Sequence, residues 1–556
     1  MAKVLIINLK KYGDLFQSAH LVNSLKANSP SSEIHLLCYE ECLSAAKIIR
    51  GINKVHTINR KKIVSFFKNP IYSDGLAFNE MEKELSLLKN ATFDQVINYS
   101  NDLVTTYVTS FLDEGSDKWA GIKFSSAQTI RYSNQFSLVL NDILTTTPFT
   151  PFSFNDVYHH ILGIALGTAS SEGTIKSNKG HDQTALNNLN RLRTMKNKDQ
   201  SSVSIIGIQI CSSSESKDIP KNAIIEAIKL INESDNMVPI LLTAPTESER
   251  KRANQINEFF ENKLVSVESD FIALPSVLKN IDVLLTPDTS IKHLADLLRV
   301  PVVEVSLGEA PFLKQGSVNT RSIIISESAH KRLSTSDKDI NPEISGSFLV
   351  ETLKATLGII DLDQISVDKN YCLYKPTPIS DGVFTTAILG DFSPQFEAKR
   401  LLSRAVIQKT FLGTIDQSIF ELLYSTISKS DISDLINKEK ANLSILTKEL
   451  LSTLRGLIQT QENKSKAPLF IESLERLLSK SFDNNLSSLP ALTFRAKIES
   501  LSSSNLEDNF KEVEGLLYSL KDNVQHALFT LQRAEEFGYS VKKARVQQTS
   551  YTGPEL

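Results

Sequence analysis

The sequence predicts an α/β protein made of two doubly wound halves facing a cleft, followed by an all-helical extension. Three observations carry that expectation. Short β-branched runs alternate with helical patterns over the first part of the chain. The alternation restarts near residue 203, and beyond residue 360 it yields to apolar positions recurring at three- and four-residue steps. Strand, helix, strand in repeated order is the pattern of a parallel sheet with crossover helices.

The first half, residues 1–168, opens with "KVLIINL", the helical "DLFQSAHLVNSLKAN", then "EIHLLCY", "ECLSAAKIIRG" and "KVHTIN". "EMEKELSLLKN" precedes "FDQVINYS", and a helical "NDVYHHILGIALG" closes it. Residues 169–202 are rich in Ser, Lys, Asn and Thr and read as a linker around an amphipathic "ALNNLNRLRTM". The second half, 203–358, runs from "SVSIIGIQI" through "VPILLTA", "LVSVE", "DVLLT" and "PVVEVS", each followed or preceded by a helical stretch, to "LVETLKATLGI". Two such halves place a ligand at the carboxyl ends of their strands. A second linker, 359–390, contains "YKPTPISDG"; residues 391–545 form a helical domain, and 546–556 an expected disordered tail.

Composition bounds the function. Hydrophobic residues make up 41% and charged residues 22% of the 556, and the net charge of −3 gives no global basic field for nucleic acid. The four cysteines, Cys38, Cys42, Cys211 and Cys372, fit neither a zinc ribbon nor a disulfide framework, so buried thiols in a reducing compartment are expected. "VLIINL" is too short for a signal peptide, and no run approaches the roughly 18 apolar residues of a spanning helix. A soluble cytoplasmic protein is expected, with peripheral membrane contact left open. Neither half carries G-x-G-x-x-G, which argues against a dinucleotide enzyme.

Three loops of the second half concentrate polar chemistry. "DVLLTPDTSIKHLADLL" is a strand followed by a helix whose first-turn N–H groups suit a phosphate, with Asp288, Thr289 and Ser290 at the junction. The plain alternative makes Asp288 an N-cap and nothing more. "CSSSESKDIP" brings Ser212, Ser213 and Lys217 to the end of another strand, as phosphate donors or as an ordinary solvated loop. "LLTAPTESE" places Glu247 where it could accept hydrogen bonds from a ribose. In the first half, "LKKYGDLF" offers Gly13 and Asp14 at a strand-to-helix turn, Asp14 as a base or merely a cap. Lys10 and Lys11 flank that turn as contacts for an anionic acceptor or as solvated lysines. His159 and His160 read as packing residues.

Over roughly residues 1–355 the chain resembles the heptosyltransferase-like glycosyltransferases of family 9, which have the GT-B fold of two Rossmann-like halves. The most specific stretch is "PDTSIKHLADLLRVPVVEV", similar to that family's D-T-G/S-x-x-H pattern before a Pro-led strand. The resemblance implies that Thr289 and Ser290 hold the diphosphate of a nucleotide-sugar donor and that Asp288 caps and orients the turn. It implies that Lys217 with Ser212 and Ser213 neutralises phosphate charge, that Glu247 takes the ribose, and that His293 serves the phosphates or braces the loop. Gly13 would allow a tight turn of positive φ, and Asp14 would be the general base of an inverting transfer. The family often has Gly at position 290 and Trp at 219, where this chain has Ser290 and Ile219.

The implied activity is metal-independent transfer of a sugar, a heptose among the candidates, to a glycan, lipid-linked or protein acceptor. No cofactor or metal is called for, since no D-x-D triplet ends a strand of either half. Bacterial lipopolysaccharide synthesis at the cytoplasmic face of the inner membrane is the setting the resemblance suggests. The helical domain is expected to recruit a protein partner, a second copy or the acceptor. The rival reading is an inactive GT-B-like binding or scaffold protein.

Overall fold

The computed structural model describes residues 2–549 except 69–72, 114–117, 126–127, 145–148, 166–172, 198, 200–201, 329–343, 482–484, 500 and 502–505. The chain divides into two compact units. The first comprises Met1–Ser133, Ser153–Pro378 and Gly382–Phe392; the second comprises Asn134–Phe152, Ile379–Asp381 and Ser393–Leu556.

The first unit holds two parallel sheets. In the amino-terminal sheet, β1 (Lys3–Ile7), β2 (Glu33–Tyr39), β3 (Lys54–Ile58), β4 (Gln95–Asn98) and β5 (Trp119–Ala120) lie in the order β3-β2-β1-β4-β5. A separate antiparallel pair, β6 (Ile122–Phe124) and β7 (Ile130–Tyr132), follows. The larger sheet contains β8 (Ser204–Gln209), β9 (Met237–Thr243), β10 (Val265–Glu268), β11 (Val283–Pro287), β12 (Val302–Ser306) and β13 (Ile323–Glu327). These lie in the order β10-β9-β8-β11-β12-β13 and are followed by β14 (Tyr371–Ile379) and β15 (Gly382–Gly390).

The central strands are continuous apolar runs because helices cover both faces. Every residue of β11 and β12 is buried. Residues Ile206, Ile208, Val283, Leu285, Val303 and Val305 form the middle of the larger core. Each sheet reverses its strand order once, between β1 and β4 and between β8 and β11, and such a switch point is where doubly wound sheets bind ligands.

Two segments differ from the expected linkers. Within 169–202, Lys179–Lys196 is a helix tied to the larger half, with Arg193 against the Asp282 carboxylate at 2.8 Å and Ser276 donating to Asp182 at 2.6 Å. Its polar composition conceals one buried residue, Leu189, and a set of specific polar anchors. Within 359–390, β14 runs antiparallel to β13 and β15 lies beside it. Its prolines suggested irregular chain, but the ladder uses Tyr371–Tyr374, ahead of Pro376 and Pro378, so the missing donors cost that pairing nothing.

The second unit is helical apart from a few residues. Its helices include Pro394–Leu412, Gln417–Thr426, Lys429–Glu462, Ala467–Ser481 and Leu506–Thr549. Leu443, Leu446, Leu450 and Leu457 bury one stripe of the 34-residue helix. Residues 134–152, which the sequence assigns to the first half, belong here. Arg400 donates to the Thr150 carbonyl at 3.2 Å, and the Arg404 guanidinium lies 4.2 Å over the Phe152 ring and meets Asp381 at 2.6 Å. Of the expected tail from 546, the last helix runs to Thr549 and the rest lies outside the described residues. Among the described residues no helix is long and apolar enough to cross a membrane.

Candidate active site

At the first switch point, the loop after β1 and the loop after β4 are stitched together. The Leu9 N–H donates to Ser100 Oγ at 2.8 Å, and Lys10 Nζ lies 3.3 Å from Asp102 Oδ2. Asp102 also caps the helix Leu103–Leu112 by accepting from the Thr105 N–H. The helix Tyr12–Asn28 starts at once after the first loop, with Lys11 as its N-cap residue.

Asp14 therefore sits in the first turn rather than at the cap itself, near enough to the Lys11 N–H for that group to favour its charge. Asn8 Nδ2 fixes the backbone beneath it by donating to the Asp14 carbonyl at 3.0 Å. Burial raises the Asp14 carboxyl above its ordinary value, against the opposing pull of the Lys10 charge, the local N–H groups and Gln315. Among the described residues, no ion pair engages it.

The second switch point uses the loop after β8 and the loop after β11. Lys217 Nζ meets Asp288 Oδ2 at 3.2 Å, joining the two loops. Lys292 Nζ meets the other oxygen, Asp288 Oδ1, at 2.7 Å, and also Glu304 Oε1 and the Gln315 carbonyl, each at 2.9 Å. Burial works against the Asp288 charge, but the Lys292 ammonium, backed by Lys217, holds its carboxyl well below the usual carboxylate range. Burial likewise opposes the Lys292 charge, yet Asp288 and Glu304 keep that ammonium firmly protonated.

Asp288 is not the N-cap of the helix Ser290–Leu297. Thr289 is, in extended conformation, with no side-chain hydrogen bond to the first turn; its hydroxyl instead lies 3.0 Å from Thr286 Oγ1. The carboxylate expected at the cap is drawn away by the two lysines. First-turn N–H groups without a capping side chain are orphan donors suited to an anion.

The two helix starts abut. A Cβ at Gly13 would lie 3.2 Å from His293 Cδ2 and 3.7 Å from the Ser290 Cα. The expected positive φ at Gly13 is absent, since the residue is already helical. Close approach of the second half, not a left-handed turn, is what a side chain here would disturb. His293 is buried, and desolvation with the Lys292 charge pushes its imidazole well below the ordinary value, so it is neutral. Across the same contact Phe271 packs on Tyr12 and Phe16, with ring centroids 4.7 and 5.3 Å apart.

The remaining predicted residues are more peripheral. The Ser212 N–H donates to Asp218 Oδ1 and its hydroxyl to the Ser214 carbonyl, each at 2.6 Å, so its polar groups brace their own loop. Ser213 and Glu247 are exposed. At the end of β9 it is Glu249 that is engaged, accepting from the Ala244 N–H at 2.7 Å and from Gln209 at 3.4 Å. His159 packs between Ser24 and the Asn155 carbonyl, Lys11 is exposed, and all four cysteines are buried thiols outside any disulfide. Sequence reasoning missed Lys292, Glu304 and Gln315. A lysine four residues after Asp288 and a lone carboxyl in the apolar "PVVEVS" were available signals; Gln315 offered none.

Against this geometry, residues 85–339 match the family model described as glycosyltransferase family 9 (heptosyltransferase). The chain resembles glycosyltransferase family 9. Similar solved structures include a family 9 glycosyl transferase from Veillonella parvula (14% identity, 65% of this chain and 98% of that one, TM-score 0.47). Another is the E. coli ADP-heptose LPS heptosyltransferase II (15% identity, 64% and 99%, TM-score 0.45). A third is the E. coli heptosyltransferase WaaC with ADP (13% identity, 64% and 100%, TM-score 0.42). No curated protein matches the chain. The family 9 segment includes Lys217, Glu247, Asp288, Thr289, Ser290 and His293, whereas Gly13 and Asp14 precede it.

Proposed function

We propose that the protein is an inverting glycosyltransferase that moves a sugar from a nucleotide-diphosphate donor to an acceptor hydroxyl. The observation that carries this reading is the junction itself: a carboxyl raised by burial and without an ion pair follows Gly13, which packs against the start of a helix whose cap side chain makes no bond to its first turn. The family 9 match supports sugar transfer from a nucleotide donor.

In this reading the diphosphate lies on the N–H groups at Thr289 and Ser290. Lys217 is the cation it can reach, because Lys292 is wholly buried. Lys217 would then exchange one oxygen of Asp288 for phosphate, while Lys292 keeps Asp288 ionised. Glu247 is the ribose contact, and Ser213 a further hydroxyl at the same mouth. His293, being neutral, braces the loop against Gly13.

Asp14 takes the acceptor proton as the acceptor oxygen forms its bond to the anomeric carbon and the bond to the donor phosphate breaks. A carboxyl raised by burial is a better base than a solvated one. The nucleoside diphosphate leaves with the electron pair, its charge neutralised by Lys217 and the helix start rather than by a metal. The helical unit recruits a partner or the acceptor.

The test is a thermal-shift screen of nucleotide-sugars on the full chain, followed by a turnover assay of the hit, since a native-state ligand raises apparent stability. A nucleotide-sugar that stabilises and is turned over supports the reading. Stabilisation without turnover leaves a donor-binding scaffold, and no stabilisation by any donor overturns the proposal.

A further inference from the structure

We propose that Gln315 is a positioning residue that links the two switch points, holding the Asp14 carboxylate with its side chain while Lys292 anchors its backbone. The inference rests on the reading of Asp14 as the base and adds to it a second-half residue that sets where the base points.

Gln315 ends the short helix Phe312–Gln315 of the larger half. Its Nε2 donates to Asp14 Oδ1 at 3.4 Å, although 301 residues separate the two. Its carbonyl accepts from Lys292 Nζ at 2.9 Å, and Lys292 in turn holds Asp288. The next residues are pinned as well. A Cβ at Gly316 would run into the Phe312 carbonyl oxygen, and the Ser317 N–H donates to Glu304 Oε2 at 2.8 Å. One chain of contacts thus runs from Lys217 through Asp288, Lys292 and Gln315 to Asp14.

Other groups around Asp14 do different work. Lys10 supplies charge from its own loop, but its ion pair is with Asp102. Cys42 and the buried phenols of Tyr99 and Tyr158 lie near enough to feel the carboxylate, and are neutral at physiological pH because burial raises all three. His293 packs on Gly13 as a neutral ring. Gln315 is the one second-half residue, among those described, that donates a hydrogen bond to this carboxylate. A neutral amide orients an ionised carboxylate without cancelling its charge. At 3.4 Å the contact is long, as catalytic hydrogen bonds often are before substrate closes the site.

The experiment compares full-length wild type, Gln315→Leu, Gln315→Glu and Asp14→Asn. The probe is the nucleotide-sugar giving the largest thermal shift, and the readout is its hydrolysis as a function of pH. Because the amide favours the ionised carboxylate, its loss raises the pH of the acidic limb. Rates for Gln315→Leu on that limb should fall roughly three- to tenfold, the worth of one ordinary hydrogen bond. The alkaline plateau and the nucleoside diphosphate affinity should stay within about twofold of wild type. Gln315→Glu, nearly isosteric, sets a like charge beside Asp14 and should move the limb further. Unshifted limbs in both variants overturn the proposal, whereas wild-type hydrolysis by Asp14→Asn overturns the base reading instead.

A double-mutant cycle by urea denaturation at pH 7.5 and pH 3.5 decides the matter even without detectable turnover. Coupling between positions 14 and 315 that is present at pH 7.5 and lost at pH 3.5 supports the link. No coupling at either pH removes it.

Discussion

The two switch points are built alike but push their carboxyls in opposite directions. In each, a lysine from the first loop meets an aspartate from the second, Lys10 with Asp102 at 3.3 Å and Lys217 with Asp288 at 3.2 Å. In the amino-terminal half the neighbouring carboxyl, Asp14, then has no ion pair among the described residues, and burial raises its affinity for a proton. In the larger half a second lysine, Lys292, doubly anchors Asp288 and holds its carboxyl down. In the proposed reading, one topology yields a proton acceptor on one side and an anion-receiving helix start on the other. What separates them is the count of buried cations, a side-chain property the fold does not dictate.

The largest expected effect lies on the proton-accepting side. Asp14→Asn should lower turnover by roughly 10²–10⁴-fold, the range of a general base. Steady-state rates on the best donor check this, and wild-type turnover would make Asp14 a helix-start residue only.

Next comes the buried cation. Lys292→Met strands Asp288 and Glu304 without their shared ammonium and should cost about 3–5 kcal/mol. Lys10→Met breaks a half-exposed pair worth only ~0–1 kcal/mol. Urea denaturation of both variants sharpens the contrast, and equal losses would erase it.

A smaller effect is expected for Lys217→Ala. One charge-assisted hydrogen bond is worth about 1.5–3 kcal/mol, so nucleoside diphosphate affinity should drop roughly 10- to 100-fold while the plain nucleoside is barely affected. Titration calorimetry with both ligands distinguishes a phosphate contact from general damage.

The mildest effect concerns pH. Burial pushes His20 down to about 4 and takes His293 well below its ordinary 6.5. Between those values the unfolded chain binds more protons than the folded one, so stability is full above pH 6.5 and declines as pH falls toward 4. The melting temperature should therefore be lower at pH 5 than at pH 7.5, and His20→Gln should flatten that dependence. A pH-independent melting temperature over this range would mean these rings are not held neutral in the fold.

Both sheets were legible because their central strands carry dense apolar runs such as "VLII" and "VLLT" between helical periods. The helix Lys179–Lys196 was not, since its attachment rests on Arg193 and Asp182 rather than on an apolar stripe. Strands β14 and β15 were hidden by prolines that fall outside the β13 ladder. At the site, the meeting of Lys217 with Asp288 follows from loops at adjacent strand ends. That Lys292 would meet Glu304 depends on how the helix Ser290–Leu297 lies against β12, and the Gln315 contact crosses 301 residues. Lys292 and Glu304 each stood out singly, but neither meeting can be read from local spacing.

The most direct test of this division of labour is to measure nucleoside diphosphate dissociation constants for Asp14→Asn and Lys217→Ala side by side with wild type. Asp14→Asn should bind within about twofold of wild type, because the proposal has its carboxyl serve the acceptor, while Lys217→Ala should bind roughly 10- to 100-fold more weakly. Equal weakening in both variants, or none in Lys217→Ala, would contradict the account.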